Sequence, residues 1–179
     1  MVEPTDTPPE SAPDKRADQT PERVVELVVN LDDTTGELVG HAIDELMQQG
    51  ALDAWATPIT MKKGRPAVML SALVNQDDRE PLAEQMLTLT GSFGVRYRAW
   101  DRLTLDRDWH ERSTRLGPIK LKAGALGGKT LAVKPEFDDV VRLAEMAGVS
   151  VAEAHRAAQA AADALLQALR KAETAGGPR

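Results

Sequence analysis

The 179-residue chain has no cysteine, and only 3% of it is aromatic. The first absence excludes disulfides, thiolate nucleophiles and thiolate metal sites, and it fits a reducing, cytoplasmic compartment. The second leaves Ala, Val and Leu to supply most of the core, within an apolar content of 42%. No apolar run approaches the ~20 residues of a membrane span, and the N-terminus lacks a basic-then-apolar signal, so no membrane partner is expected. Cations are also in the minority. With a formal net charge of −6 and a pI near 5.1, the chain does not offer the broad phosphate neutralisation that duplex binding requires. Nucleic acid is not an expected partner.

Against that acidic background, Met61-Lys62-Lys63-Gly64-Arg65-Pro66 concentrates three cations in four positions. It lies between two apolar runs of strand length, as a tight β-β connection. Gly64 can turn at positive φ, and Pro66 fixes φ as the turn ends. Lysine supplies point charges and arginine a planar fork for phosphate or carboxylate oxygens. Taken alone, such a turn is equally at home on a solvated surface. A local cationic knot in an acidic chain favours a small anionic ligand.

Residues 1–21 are rich in Pro, Asp, Glu, Ser and Thr, with almost no large apolar side chain, and read as a disordered tail. Val24 to Asn30 is a β-branched strand. Asp33, Thr34 or Thr35 can cap the helix that follows, which runs to about Gln49 with Leu38, Ile43, Leu46 and Met47 inward; Gly50 ends it. Leu52 to Met61 and Ala67 to Val74 read as the second and third strands. Asp77-Asp78 cap a second helix to about Leu87, carrying Leu82, Met86 and Leu87 inward. Thr88 to Gly94 reads as a loop and Gly94 to Leu105 as a fourth strand. The order β-α-β-β-α-β over 22–106 predicts an α+β, ferredoxin-like sandwich. Residues 107–172 read as an extension of the same unit. It consists of a β-hairpin turning at Leu116-Gly117-Pro118 with Lys120 and Lys122 on one face, a short strand from Thr130 to Lys134, a helix to about Ala147, and an Ala-rich helix to about Ala172. Residues 173–179 are expected to fray. His155, on the last helix, has no second ligand at helical spacing and reads as an exposed or packed side chain.

Three groups have complementary chemistry. Asp32, Asp33 and Glu37, with Asn30 beside them, follow the first strand; such hard oxygen donors suit Mg²⁺ or Mn²⁺ carried with a nucleotide, and equally suit helix capping. Lys62, Lys63 and Arg65 form the basic turn. Thr90-Gly91-Ser92-Phe93-Gly94-Val95-Arg96 offers hydroxyls, backbone N–H groups and an arginine to an oxyanion, or is an ordinary helix-to-strand loop. In this topology the outer loops need not meet the central hairpin, so a site shared between subunits of an oligomer is expected.

Taken together, these stretches resemble the C-terminal domain of the LarC nickel-insertion family. The resemblance is carried by Asn30-Leu31-Asp32-Asp33-Thr34-Thr35-Gly36-Glu37, Gly50-Ala51-Leu52-Asp53-Ala54, Pro58-Ile59-Thr60-Met61-Lys62-Lys63-Gly64-Arg65-Pro66, Gly94-Val95-Arg96 and Lys134-Pro135-Glu136-Phe137-Asp138-Asp139, in order from about Val24 to Ala158. It implies a CTP-dependent cyclometallase of the lyase class, which places Ni²⁺ into pyridinium bis-thiocarboxylate mononucleotide to make the nickel pincer cofactor of lactate racemase. It also implies that the C-terminal domain binds CTP with Mn²⁺ or Mg²⁺ and forms a homo-oligomer. Carried over, Lys62, Lys63 and Arg65 hold the triphosphate, Thr90, Ser92 and Arg96 assist, and Asp32, Asp33 or Glu37 serve the metal. The catalytic residues are left open. Where the family loop reads Glu-Thr-Thr/Ser-Thr, this chain reads Leu89-Thr90-Gly91-Ser92, with a carboxylate and a hydroxyl missing. The family's large N-terminal domain is expected on a separate partner chain, and lone activity is not expected. Two other readings compete. One is a non-enzymatic nucleotide or anion sensor that regulates a partner or drives oligomerisation. The other is an RNA-binding module, disfavoured because Trp55, Tyr97 and Trp100 fall outside an aromatic RNP pattern.

Overall fold

A computed structural model describes residues 22–175. The tail assigned to 1–21 and the last four residues, 176–179, lie outside the described residues. The chain divides into two compact units, one running to Leu103 and the other from Thr104 onward. Each has its own hydrophobic cluster, whereas the sequence reading takes 107–172 as an extension of the first unit.

The first unit alternates β1 (Glu22–Leu31), α1 (Gly36–Gln48), β2 (Asp53–Met61), β3 (Arg65–Asn75), α2 (Arg79–Thr90) and β4 (Arg96–Arg102), with a single 3₁₀ turn at Lys62–Gly64 joining β2 to β3. Its sheet has the order β2-β3-β1-β4, and every neighbouring pair is antiparallel. This is the ferredoxin-like arrangement predicted from the element order. Period-2 alternation sends Val25, Leu27, Val29 and Leu31 of β1 toward the helices, opposite Val74, Ala72, Leu70 and Val68 of β3. There they meet Val39, Ala42 and Leu46 of α1 and Leu82 and Met86 of α2.

Two local readings need correction. On α1 the inward stripe is Val39, Ala42 and Leu46, while Leu38 and Met47 are exposed. The sheet's position sets the helix phase, and the small Ala42 is what allows close approach. On α2 the helix does not stop at Leu87 but runs to Thr90. Thr88 and Thr90 donate their hydroxyls to the carbonyls of Glu84 and Met86, at 2.9 and 2.7 Å. This back-bonding satisfies the hydroxyls inside a helix. Gly91 then stops it in the left-handed region, its amide on the Leu87 carbonyl. Asp78 occupies the N-cap position without a capping bond, because its carboxylate accepts instead from the Asn75 side-chain amide.

The second unit is a three-stranded antiparallel sheet of β5 (Asp106–Thr114), β6 (Gly117–Leu126) and β7 (Lys129–Pro135), followed by α3 (Phe137–Ala147) and α4 (Val151–Ala175). Ala154, Ala158, Ala162 and Leu165 form a small-residue stripe on α4. With Val140, Leu143 and Ala144 of α3, it buries Ile119, Leu121 and Ala123 of β6. Lys120 and Lys122 share the opposite face of β6, as alternation requires. Their ammonium groups lie 4.6 and 5.0 Å from the centre of the Trp109 ring. His155 is exposed on α4.

The outer edge of β7 is covered by the end of α4. Arg170 donates to the carbonyls of Thr130 and Leu131, and Glu173 accepts from the Thr130 amide at 2.9 Å and from its hydroxyl. The helix therefore stays ordered past Ala172, where fraying was expected. It also fills backbone positions that would otherwise form an open edge. The Thr130 hydroxyl and amide hold the Glu173 carboxyl below the usual carboxylate range, with lesser help from Arg170 and Lys129. A carboxyl lowered by folding contributes stability fully above its ordinary pKa and loses it as pH falls through the folded value. Glu173→Ala is therefore expected to lower the hydrogen-exchange protection of the Thr130 amide at neutral pH. The wild type should lose the same protection on acidification below the ordinary carboxylate range. Equal protection in both proteins at neutral pH would refute this account of the edge.

Candidate functional site

Antiparallel pairing decides which loops meet. β1 ends where β3 begins, Leu31 lying opposite Val68, and β4 begins beside the same end of β1, Arg96 lying opposite Val28. The β2-β3 turn, the β1-α1 connection and the α2-β4 loop therefore converge at one end of one sheet. The expectation that these loops need a second subunit to come together is corrected by a direct contact. Arg65 Nη1 lies 2.8 Å from Asp32 Oδ2 within a single chain. The expectation treated the loops as separate in space and overlooked that a central β1 borders both β3 and β4.

The Asp32 carboxylate is mostly buried, whereas Arg65 is about half exposed. Despite its proximity to the guanidinium, Asp32 Oδ2 is buried without a hydrogen bond: the charges are close, but no N–H is aimed at that oxygen. An acceptor left in this state is suited to a cation. Among the described residues, however, no three acidic or histidine side chains are grouped closely enough to hold a metal. Asp32, Asp33 and Glu37 thus do not form a joint cage. Thr35 is the α1 N-cap, its side chain accepting from the Leu38 amide, and Glu37 sits in the first helical turn. A divalent ion arriving with a nucleotide needs only one or two protein carboxylates, and Asp32 fits that smaller role.

Lys62 and Lys63 are exposed in the turn. Gly64 has φ of 69°, as read from the sequence, but Lys63 also adopts φ of 64° and is the one non-glycine in that region among the described residues. A lysine there is strained by roughly 1 kcal/mol. The register of Met61 with Arg65 enforces the turn, so the strain presents the lysine at the tip.

In the α2-β4 loop, Thr90 ends the helix and donates its hydroxyl proton to Met86, while its oxygen accepts the Ser92 amide at 3.3 Å. Ser92 donates to the Gly94 carbonyl. Both hydroxyl protons are committed to the backbone, so these residues shape the loop rather than offer free donors. Phe93 at its tip is fully exposed. Arg96 donates to the Asn30 side-chain oxygen at 2.9 Å and touches the Met69 sulfur. The Asn30–Arg96 bond was not anticipated. Its signal was the alternation itself, because Asn30 and Arg96 fall on the same side of neighbouring strands.

The nickel insertion protein family model matches residues 9–155. A protein of Myxococcus xanthus (strain DK1622) bearing a nickel-insertion name is 46% identical over 132 residues, covering 74% of this chain and 34% of the relative. The pyridinium-3,5-bisthiocarboxylic acid mononucleotide nickel insertion protein of Staphylococcus epidermidis (strain ATCC 12228 / FDA PCI 1200) is 37% identical over 115 residues, covering 64% of this chain and 29% of its own length. The chain thus spans about a third of the length of the curated relatives it matches. Among solved structures, LarC2 in its apo form has a TM-score of 0.75 at 34% identity, covering 80% of this chain and 99% of its own. It is the C-terminal domain of a cyclometallase involved in synthesis of the NPN cofactor of lactate racemase. Protein MK0293 of Methanopyrus kandleri AV19 has a TM-score of 0.59 at 30% identity, covering 80% of this chain and 88% of its own. The chain therefore belongs to the LarC nickel insertion family and corresponds to that family's C-terminal domain.

Proposed function

We propose that this chain is the CTP- and divalent-metal-binding part of a nickel-insertion cyclometallase for the lactate racemase-type pincer cofactor. In this reading Ni²⁺ and pyridinium bis-thiocarboxylate mononucleotide are substrates handled with the family's N-terminal domain, and the protein acts as a homo-oligomer. The observation that carries the reading is the convergence of Lys62, Lys63, Arg65 and Arg96 at the sheet end that also holds Asp32. The cations neutralise a triphosphate; Asp32, with Asp33 or Glu37 as alternatives, serves Mn²⁺ or Mg²⁺. The ion supplies charge neutralisation between phosphate oxygens. Charge-assisted contacts of this type contribute about 1.5–3 kcal/mol each.

Arg65 is held by Asp32 in the absence of ligand. Phosphate binding would exchange that carboxylate for a phosphate oxygen, leaving Asp32 free for the metal. Thr90 and Ser92 hold the α2-β4 loop in shape in this reading. The loop carries no free carboxylate or hydroxyl proton of its own, and this favours a second reading in which the nucleotide is bound as a regulatory signal and not hydrolysed. Pyrophosphate release in the presence of the N-terminal domain distinguishes the two.

The site is tested by thermal melts with Mn-CTP. Ligand at about a hundredfold its Kd stabilises the wild type by about 2.7 kcal/mol. The Lys62→Ala/Arg65→Ala protein, compared with its own ligand-free baseline, is expected to lose most of that gain. An equal gain in both refutes the assignment. Lys63→Gly separates stability from binding. It is expected to raise ligand-free stability by about 1 kcal/mol by relieving the positive-φ strain, while weakening CTP binding through loss of one cation. Improved stability with undiminished affinity would remove Lys63 from the site.

A further inference from the structure

Within the second unit, α3 and α4 cover the sheet face that carries Ile119, Leu121 and Ala123. Alternation along β6 sends Lys120 and Lys122 to the opposite face, and residues directly across a ladder share a face. The register therefore sets Trp109 of β5, Lys122 of β6 and Lys134 of β7 in one row across it. Glu111 and Lys120 flank the row on one side, and Arg107 and Gly124 on the other. Leu105 closes the Gly124 side. A methyl group at Gly124 would lie 2.8 Å from Leu105 Cδ1, so the glycine is what lets the leucine lie against the strand.

The charge on this face is unbalanced. Arg107, Lys120, Lys122 and Lys134 stand against Glu111 and Glu136, in a chain whose net charge is −6. Lys122 Nζ is held 2.7 Å from Glu136 Oε1. Lys120 and Lys134 are exposed, and neither makes an ion pair among the described residues. At the centre Trp109 is 44% exposed, with the ammonium groups of Lys120 and Lys122 at 4.6 and 5.0 Å from its ring centre. An indole attracts cations to its face through its π-electrons, and a ligand cation can take the same place. A flat cationic ring would add stacking area there. The lysines it displaced would stay tethered at its rim, Lys122 still held by Glu136 and Lys120 left without counter-charge. Two strand spacings, about 10 Å, separate the Trp109 and Lys134 backbones, which leaves Lys134 at the far rim of a ring stacked on the indole. The complementary ligand is therefore a cationic aromatic ring with anionic groups on its edge.

We propose that this face of the second unit binds a cationic aromatic ring bearing carboxylate-type groups, with Trp109 stacked on the ring and Lys120 and Lys134 paired with its anions. The proposal rests on the functional reading above, whose pyridinium bis-thiocarboxylate substrate has this chemistry, and it assigns residues of this chain to that ring. The test is calorimetric and fluorescence titration of the full chain with two pyridinium mononucleotides, nicotinic acid mononucleotide and nicotinamide mononucleotide. They differ in one ring substituent, a carboxylate in the first and a neutral amide in the second. The wild type is expected to bind the carboxylate form about tenfold more tightly, the factor that one charge-assisted contact supplies, with quenching of indole emission. Lys120→Ala/Lys134→Ala should bring the two affinities together. Trp109→Ala should weaken both by about tenfold or more and remove the Trp109 share of the quenching, leaving Trp55 and Trp100. A cooperative thermal transition in each variant certifies that it folds. Equal wild-type affinities, no wild-type binding, or full affinity retained in Trp109→Ala overturns the proposal; should Trp109→Ala not fold, the lysine variant decides alone, and an undiminished carboxylate preference in it refutes the site. If Mn-CTP still stabilises the wild type in that event, only this inference falls. If the mononucleotides bind as expected and Mn-CTP gives no stabilisation, the triphosphate site falls and this face stands.

Discussion

The central position of β1 is the constraint on which the site depends. Its neighbours are β3 and β4, and both run against it. One end of β1 therefore meets the start of β3, which carries the basic turn, and the start of β4, which carries Arg96. No loop has to reach far, and no second subunit is needed to bring the carboxylate and the arginine together. The same alternation that buries Val25, Leu27 and Val29 toward the helices sends Glu26, Val28 and Asn30 to the outer face. Core and candidate site are two faces of the same strand, so a one-residue slip in register would exchange them.

The electrostatics follow from that geometry. Four cations gathered at one sheet end would repel one another without counter-charge, and the protein supplies it only sparingly. Asp32 pairs with Arg65, and Arg96 is held by the neutral Asn30. Because Asn30 orients the guanidinium without neutralising it, Arg96 keeps its full charge for a ligand. The Arg65 pair is only half buried, so its worth to stability is modest, since exposed ion pairs contribute about 0–1 kcal/mol. Its larger effect is on position. The Lys63 backbone strain belongs to the same pattern, in which local stability is given up to place a cation at the turn.

Much of the fold was legible in the sequence because it rests on local signals. β-branched runs gave the strands, Gly50 and Gly148 marked helix ends, and the element order pointed to the sheet topology. Helix phase was less legible, as Leu38 and Met47 show, because periodicity leaves the stripe free to rotate until a sheet fixes it. The end of α2 was misread because Thr88 and Thr90 look like loop residues until their hydroxyls are seen on the carbonyls one turn back. The basic turn and the acids after β1 were visible as separate groups. Their meeting was not, since it depends on strand order rather than on spacing along the chain. The bond from the Trp100 indole to Glu26 was harder still: the two residues are 74 positions apart and become neighbours only through the β1-β4 register.

The two hydroxyls of the α2-β4 loop bear on what the site can do with a bound triphosphate. A group that assists phosphoryl transfer must donate to, or take a proton from, an oxygen whose charge changes in the transition state. Thr90 and Ser92 have already placed their protons on Met86 and Gly94, and freeing either would undo the end of α2 or the turn into β4. What remains at this sheet end is fixed positive charge and a carboxylate suited to a metal. In the proposed reading such a set neutralises phosphate oxygens in the ground state. The general base or attacking group for any hydrolysis therefore has to come from outside this loop. Under the proposed nucleotide reading, this sheet end supplies charge for phosphate oxygens, and any turnover depends on what approaches the exposed turn.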